Sequence, residues 1–514
     1  MGGEAADGDP SSIVSDGTLV YAYAKGDYTV NGVEFAAAVA DESAKAVIND
    51  NISWTLTTGI LFNKDYDCDD SVTDAEYRKL LRYSWGCQSS SSQTLPIVLK
   101  NLTPGASYLV QIIGCHYGEG NDNDAKVFSK TASDKYILTG GTSEWTYGGS
   151  LIGTFKADSD SVTFNLGNDN GDWFGMNAIQ VRELLPLAPA ATAAENTAAI
   201  QTAIDQAAVM SPAGTVTLGE GTFEIDAQLD ITGGVKLVGQ GWSKTTIKQT
   251  GTNQRVVNMK NGSVLEGVAL TGGNAVGNYG FGGGALVSDG TISWCRISGN
   301  KLTLNNSYGG GVCAVKGTID HTVITDNTVS GATSGGGAIG CWGYLLSIDV
   351  VVDSCLIYGN SVTSGDGGAV CYKQAYSSKF AIRNTTISGN SASGTCGGVS
   401  TDGKFTLVND IVSGNTATGD NQDVNGNQNS GSQGNLIGGS PDFVDAANGN
   451  YRLTMDSPCR KKGTYAEWMA DALDVYGNPR CSKASTVDIG AAALPSSREY
   501  TVWYISLSPS YPLM

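Results

Sequence analysis

The chain has 514 residues, enough for two or three domains and a large hydrophobic core. Charged residues make up only 16% of it and there are 69 glycines, a composition typical of turn-rich β proteins. The formal net charge is −19 and no basic cluster stands out, which disfavours nucleic acids and anionic membranes as partners. No run of 18 apolar residues is present, so the sequence predicts no membrane span.

Residues 1–12 lack the apolar centre of a signal peptide, and we interpret them as a flexible N-terminus. The 11 cysteines are an odd number, so at least one is unpaired or pairs between chains. Cys68 with Cys87, and Cys459 with Cys481, are the disulfide candidates. Such bridges would favour an oxidising compartment, and hence a secreted or cell-surface protein.

Residues 13–185 contain short alternating strands separated by Gly, Asp and Asn turns, for example TLVYAYA at 18–24 and SVTFNL at 161–166. This pattern predicts an antiparallel sandwich. Three of its segments are similar to bacterial secreted jelly-roll modules of the galactose-binding type: IVLKNLTPGASYLV at 97–110, IGTFKAD at 152–158 and MNAIQVREL at 176–184. The resemblance implies a carbohydrate-binding role. Trp54, Trp145 and Trp173 could then form a sugar-stacking platform, although core tryptophans explain the same residues.

An acidic run within this domain has the oxygen spacing of a calcium-binding loop. Side-chain oxygens stand at positions 1, 3, 5, 7, 9 and 12 of the run from Asp65, on Asp65, Asp67, Asp69, Ser71, Thr73 and Glu76. Position 6 is Asp70 where such loops need Gly, and a solvated acidic turn is the alternative. Calcium is the one cofactor that the sequence predicts.

Residues 186–194 form a proline-marked linker, and a parallel β-helix is predicted over 195–495. It begins with an apolar stripe at helical spacing (Ile200, Ala203, Ile204, Ala207), which predicts a helix that caps the solenoid. The run at 214–251 then resembles the entry of secreted right-handed β-helix proteins, which include polysaccharide lyases and hydrolases.

A nine-residue unit recurs five times in this region, beginning at residues 292, 319, 352, 382 and 407. Fixed-period repeats of short β-branched segments predict a solenoid with one coil per repeat. The ninth position is always Asn, and we interpret the column as an internal amide ladder, with a row of ligands as the alternative: Asn300, Asn327, Asn360, Asn390 and Asn415. Glycine pairs between the copies are expected to supply turns with positive φ.

The end of the solenoid carries several motifs in order: SPDFVDAANGNYRLTMDSPCRKKG at 440–463, DVYGNPRC at 474–481 and VDIGA at 487–491. Together they resemble the closing module of bacterial β-helix proteins of the choice-of-anchor Q type. That resemblance implies an exported protein. Residues 496–514 continue past the expected end with a strand-like tail that contains YTVWYIS.

No motif of the pectin-degrading β-helix enzymes is present, and the repeated strand shows no carboxylates in its two outward columns. These columns are Trp294, His321, Ser354, Asn384 and Asn409, and then Arg296, Val323, Leu356, Thr386 and Ile411. Asp366, Lys373, Arg383 and Asp402 lie elsewhere and are read as solvated charges, with a catalytic groove as the alternative.

The sequence therefore favours a non-catalytic extracellular structural or adhesive protein that binds polysaccharide. The apolar part of the second column (Val323, Leu356, Ile411) together with the tail suggests self-assembly into filaments by β-strand addition. The alternative function is a polysaccharide lyase or glycoside hydrolase of the β-helix class.

Overall fold

The computed structural model describes residues 3–4, 13, 18–38, 46–55, 60–65, 74–88, 94–116, 125–129, 136–139, 149–168, 174–208, 213–275, 281–342, 347–373, 377–481 and 487–493. The chain divides into two compact units, Met1–Pro186 with Val209–Gly214 and Leu187–Ala208 with Thr215–Met514. Almost all regular structure is β-strand, as the sequence predicts. In the part of the chain described, no helix is long and apolar enough to cross a membrane.

The first unit contains two sheets, antiparallel except for one short parallel pair. One sheet has nine strands: Gly3–Glu4, Thr18–Ala24, Tyr28–Val30, Val33–Ala37, Ile60–Asp65, Tyr83–Gln88, Ser107–His116, Gly149–Lys156 and Phe174–Glu183. The other has six: Ala46–Ile48, Ile52–Thr55, Thr94–Leu99, Ala125–Ser129, Tyr136–Thr139 and Val162–Asn168. Alternate residues of both sheets, such as Val110 and Phe164, share one buried core, which confirms the predicted antiparallel sandwich.

Helix α1 (Ala75–Arg82) packs in a second cluster of this unit. Its residues Tyr77, Leu80 and Leu81 are buried beside strand residues such as Phe35. Asp74 caps the helix, because its Oδ1 accepts a hydrogen bond of 2.7 Å from the Tyr77 N–H.

Helix α2 (Ala193–Ala208) opens the second unit and covers the first coils of the solenoid. It buries Ile200, Ile204 and Ala207, three of the four predicted positions. Thr192 and Glu195 form a capping box at its start, with Thr192 N–H donating to Glu195 Oε2 at 3.0 Å. Because the apolar end of a solenoid would otherwise be exposed, this helix acts as the predicted cap.

The solenoid has three faces of parallel strands. Face A contains Leu229–Ile231, Val257–Met259, Ala285–Val287, Val312–Ala314, Ile339–Trp342 and Val370–Lys373. Face B contains Thr215–Thr217, Lys236–Val238, Ser263–Glu266, Gly290–Ser293, Lys316–Asp320, Ser347–Asp353 and Ser377–Arg383. Face C contains Gly221–Ile225, Thr245–Gln249, Ala269–Thr271, Arg296–Ser298, Val323–Thr325, Leu356–Tyr358, Thr386–Ser388, Ile411–Val412 and Leu436–Ile437.

Faces A and B join at the strand Val399–Val408, whose first residues pair with face A and whose last residues pair with face B. The strand Val424–Gln428 pairs with it on the following coil. Shorter strands lie at the corners: Lys301–Leu302, Thr328–Val329, Ser361–Val362, Ser391–Ala392, Thr416–Ala417, and the pair Ser334–Gly335 with Gly365–Asp366. After the coils come Phe443–Asp445, the 3-10 turn Ala446–Asn448, Asn450–Leu453 and the 3-10 turn Glu467–Met469.

The nine-residue unit is the segment that runs between two left-handed corners. Its third position has positive φ in every copy, between 43° at His321 and 59° at Asn409, and its eighth position has φ between 56° at Asp326 and 72° at Gly414. The third position is therefore a corner and not an outward strand residue, which corrects the sequence interpretation. The fifth position is the outward residue of face C.

The glycine pairs supply the predicted positive φ in two copies and have a second role in others. Positive φ occurs at Gly336 and Gly367, the first members of their pairs, but in two earlier coils it falls on Gly282 and Gly309, before the pair. The paired glycines allow close stacking instead, because a Cβ on Gly283 or Gly311 would meet the carbonyl oxygen of the next coil within 2.8 Å.

The apolar column of face C is covered by residues of the same chain. Val323 and Leu356 pack against Tyr451, Val475 and Ala491, and a second cluster places Ile411 beside Leu453, Cys459 and Ile489. The covering residues belong to segment 440–493, which we call the closing module. Val323, Leu356 and Ile411 are thus not exposed and do not form the predicted surface for assembly. The tail at 496–514 lies outside the described residues.

The predicted bridge between Cys459 and Cys481 is wrong, since both are free thiols. Cys459 packs in the apolar cluster around Ile411, and burial raises the pKa of its thiol to about 11. The Cys481 sulfur instead lies 3.0 Å from the Met469 carbonyl oxygen. Cys68, and the side chain of its candidate partner Cys87, lie outside the described part of the chain.

Candidate functional site

Three charged side chains that the sequence leaves scattered lie together at the later coils of face A. Lys373 Nζ is 3.5 Å from Asp366 Oδ2 and 3.2 Å from Asp402 Oδ1. All three are open to solvent, with 24% of the Lys373 side chain, 26% of Asp366 and 50% of Asp402 exposed. We call this trio the acid–lysine cluster.

Neighbouring coils position the trio through their strand register. Lys373 ends the strand Val370–Lys373, and Asp402 lies on the next strand of the same face, where Tyr372 is paired with Thr401. Asp366 ends the short strand Gly365–Asp366 that precedes face A. Gly394 leaves room for this carboxylate, because a Cβ there would collide with Asp366 Oδ1.

Asp366 is held as a carboxylate. Its Oδ1 accepts hydrogen bonds from Thr395 N at 2.7 Å and Thr395 Oγ1 at 3.0 Å. Burial alone would raise the pKa of Asp366, but these bonds and the Lys373 ammonium outweigh it and lower the pKa below its ordinary value. The group is therefore ionised at neutral pH and can act as a base or a nucleophile.

Lys373 is held as a cation. Burial favours its neutral form, but the carboxylates of Asp402 and Asp366 together raise its pKa. It is thus suited to hold the two carboxylates together and not to abstract a proton. Cys371 beneath it is fully buried, and burial raises the pKa of its thiol, which excludes this sulfur as a ready nucleophile.

The two carboxylates lie close to each other on the surface of the solenoid. Since one ammonium nitrogen contacts both, the nearest oxygens of Asp366 and Asp402 are no more than about 7 Å apart, which does not exceed the upper limit of about 9.5 Å for carboxyl pairs in glycosidases. Tyr308 lies next to the cluster, on the preceding coils, and is 7% exposed. Its hydroxyl donates a hydrogen bond of 3.1 Å to the Thr333 carbonyl oxygen.

The five repeat asparagines form a buried ladder, away from solvent. Each Nδ2 donates to the Oδ1 of the next copy at 2.9 Å, from Asn300 through Asn390, and Asn415 ends the series on Asp423 Oδ1. They are at most 4% exposed. This geometry is the internal ladder that the sequence predicts, and it leaves no face of the amides open to a ligand.

The other predicted site residues are placed only in part. Trp54 is 2% exposed and belongs to the sandwich core. It is therefore a core tryptophan, and its indole offers no face to a sugar. Trp145 and Trp173 lie outside the described residues.

The predicted calcium loop begins with Asp65, at the end of the strand Ile60–Asp65, and its last residue, Glu76, lies in α1 and pairs with Lys79 at 2.7 Å. Asp67, Asp69, Ser71 and Thr73 are not described, and calcium stays a prediction. The described residues contain no group of three or more acidic, His or Cys side chains arranged to hold a metal.

The repeat itself contained a signal for the acid–lysine cluster. Asp366 and Thr395 are 29 residues apart, as are Lys373 and Asp402, close to the 30 residues between Asn360 and Asn390. Residues one period apart lie on adjacent coils, so these contacts could have been read from the spacing. Reading only the columns of the nine-residue unit missed them, because the cluster lies on face A.

No family model matches the chain, and no curated protein matches it. Among solved structures it is similar to the catalytic unit of the thermostable GH87 alpha-1,3-glucanase from Streptomyces thermodiastaticus strain HF3-3, with 12% identity over 74% of this chain and 94% of that one and a TM-score of 0.19. The Agl-KA catalytic domain is similar at 12% identity over 80% of this chain and 100% of that one, with a TM-score of 0.20.

Proposed function

We propose that the protein is a polysaccharide-degrading enzyme of the β-helix class, and that it hydrolyses glycosidic bonds at the acid–lysine cluster. The observation that carries this proposal is the pair of solvent-accessible carboxylates, Asp366 and Asp402, held by one lysine on the outer surface of the solenoid. The sequence favoured a non-catalytic role because the columns of its repeated strand carry no carboxylates. With a carboxylate pair assembled on face A, the enzymatic alternative is preferred.

The two carboxyl groups receive different roles from their surroundings. Asp366, ionised and fixed by Thr395, is the base or nucleophile. Asp402, the more exposed of the two, can approach a leaving-group oxygen as the second carboxyl group of the pair. Lys373 neutralises part of the charge, so the trio carries one net negative charge and suits a neutral glycan better than a uronate-rich one.

Hydrolysis is proposed over β-elimination because of the protonation of Lys373. A lyase needs a base close to neutral pH, and the raised pKa of Lys373 keeps that amine protonated. Secretion, a carbohydrate-binding role for the first unit and a choice-of-anchor type of closing module stay predictions from the sequence. They are compatible with action on extracellular polysaccharide.

The reaction type can be read from the products. We expect reducing ends to appear when the protein is incubated with a panel of neutral glucans, alpha-1,3-glucan among them, without the ultraviolet absorbance of unsaturated products. Unsaturated products from polygalacturonate would favour a lyase. No product from any polysaccharide would favour the non-catalytic role.

A further inference from the structure

A second surface, on face B beside the closing module, has the features of a sugar-binding platform. We infer that Trp468, oriented by Arg383, forms a carbohydrate subsite distinct from the acid–lysine cluster. Trp468 is 46% exposed and belongs to the 3-10 turn Glu467–Met469. An exposed aromatic ring held in one orientation is a surface on which the C–H face of a sugar can stack.

The segment from Thr464 to Leu473, which contains Trp468, is held against the left-handed corner formed by the third positions of the repeat. Asn409 exchanges two hydrogen bonds with Thr464, Thr464 N–H to Oδ1 at 2.6 Å and Nδ2 to Thr464 O at 2.9 Å. Further along, His321 Nε2 lies 3.1 Å from Leu473 O. Met469, next to Trp468, is fully buried. These contacts place the segment as a wall beside face B.

The indole is oriented by a chain of charged contacts. The Arg383 guanidinium lies over the Trp468 ring at 4.5 Å from its centroid, and Arg383 Nε donates to Asp353 Oδ2 at 2.7 Å. Asp353 is only 11% exposed and also accepts from Asn384 Nδ2 at 3.1 Å. Arg383 covers one face of the Trp468 ring. Because Asp353 anchors this arginine, the indole is already ordered, and Trp468 loses little conformational entropy when a ligand binds.

The floor beside this wall includes a row of uncharged side chains. Val351, Ala381 and Thr406 are paired in register on three successive coils, and all are half-buried. Arg383 is neutralised by Asp353, so the platform attracts no charged ligand in particular. A neutral sugar, with an apolar face for Trp468 and hydroxyls for Thr406, matches this surface.

The platform can be tested by electrophoresis of the full chain in gels that contain soluble neutral glucans, with polygalacturonate gels for comparison. We expect at least one neutral glucan to retard the parent protein, and Trp468→Ala to raise the apparent Kd roughly tenfold, as expected for loss of a stacking contact. Met455→Ala is the matched control, since Met455 is 65% exposed on the same closing module. This control should bind like the parent.

Trp468→Leu keeps apolar bulk without a ring and should lose binding to a similar extent, with unchanged melting temperature. Full retention of binding in either Trp468 variant would overturn the inference. So would the absence of retardation of the parent in every neutral-glucan gel. Hydrolysis of a short soluble oligosaccharide, which depends on the acid–lysine cluster, should be unaffected by Trp468→Ala, so the failure of one proposal is distinguishable from that of the other.

Discussion

At the scale of single residues, Asp366 shows how the solenoid prepares a carboxylate for chemistry. A backbone N–H and a hydroxyl from the next coil bind one of its oxygens, and Lys373 approaches the other. These donors favour the charged form more than partial burial disfavours it. The charge state of Asp366 is thus set by residues one coil away and by Lys373, all of which can be altered without touching the carboxylate.

Replacing Lys373 with Met should move the acid side of the activity profile to higher pH. The folded pKa of Asp366 lies below its ordinary value of 3.8, so the carboxylate survives to lower pH and is lost as pH falls through the folded pKa. Removing the ammonium takes away one cause of this lowering, and the pKa of Asp366 rises. The profile of hydrolysis rate against pH measures the shift.

Lys379→Met removes the same charge from an exposed position on face B and is the control for that experiment. Its profile should match that of the parent. An equal shift in both variants, or none in Lys373→Met, would mean that Lys373 does not act on the group that limits activity in acid.

At the scale of the coil, the nine-residue unit contains two internal ladders, of which the sequence revealed one. The asparagine ladder is visible because its column is invariant. The fourth column is chemically mixed, yet Cys355 N–H donates to Thr385 Oγ1 at 3.1 Å and Thr385 N–H to Asp410 Oδ1 at 2.8 Å. Both ladders satisfy buried backbone N–H groups at the two corners, which a stack of coils cannot otherwise pair.

Asn360→Ala should lower the free energy of unfolding by about 3 kcal/mol, because it leaves several buried groups without partners. Asn360 Nδ2 donates to Ile324 O and Asn390 Oδ1, both at 2.9 Å, and its Oδ1 accepts from Asn327 Nδ2 at 2.9 Å. Denaturant unfolding measures the loss. Asn448→Ala, at an exposed turn of the closing module, is the control and should change stability little. A parent-like stability of Asn360→Ala would contradict the ladder.

How far the sequence predicted this molecule depends on which residues repeat. Periodic Ile and Asn positions were enough for the solenoid, and Ile200 and Ile204 were enough for its capping helix. The third column was misread as strand residues, because left-handed corners normally favour Gly or Asn and three of its five copies, Trp294, His321 and Ser354, are neither. The cysteine pairing failed because spacing carries no information about where a closing module folds back.

At the scale of the whole chain, the closing module changes what the solenoid can do. It buries Val323, Leu356 and Ile411, which the sequence offered as a surface for assembly. With that stripe covered, we place function at the charged positions of face A and at the wall beside face B. The net charge of −19 is consistent with a chain that works on neutral polymers.

The most direct test of this account compares hydrolysis by the parent, Asp366→Asn and Asp402→Asn, on whichever neutral glucan the parent degrades. Asp349→Asn, an exposed carboxylate on face B, serves as the matched control. We expect each cluster variant to lose at least about a hundredfold in rate, as removal of a general acid or base does, with unchanged melting temperature and a fully active control. Parent-like rates in both cluster variants would contradict it.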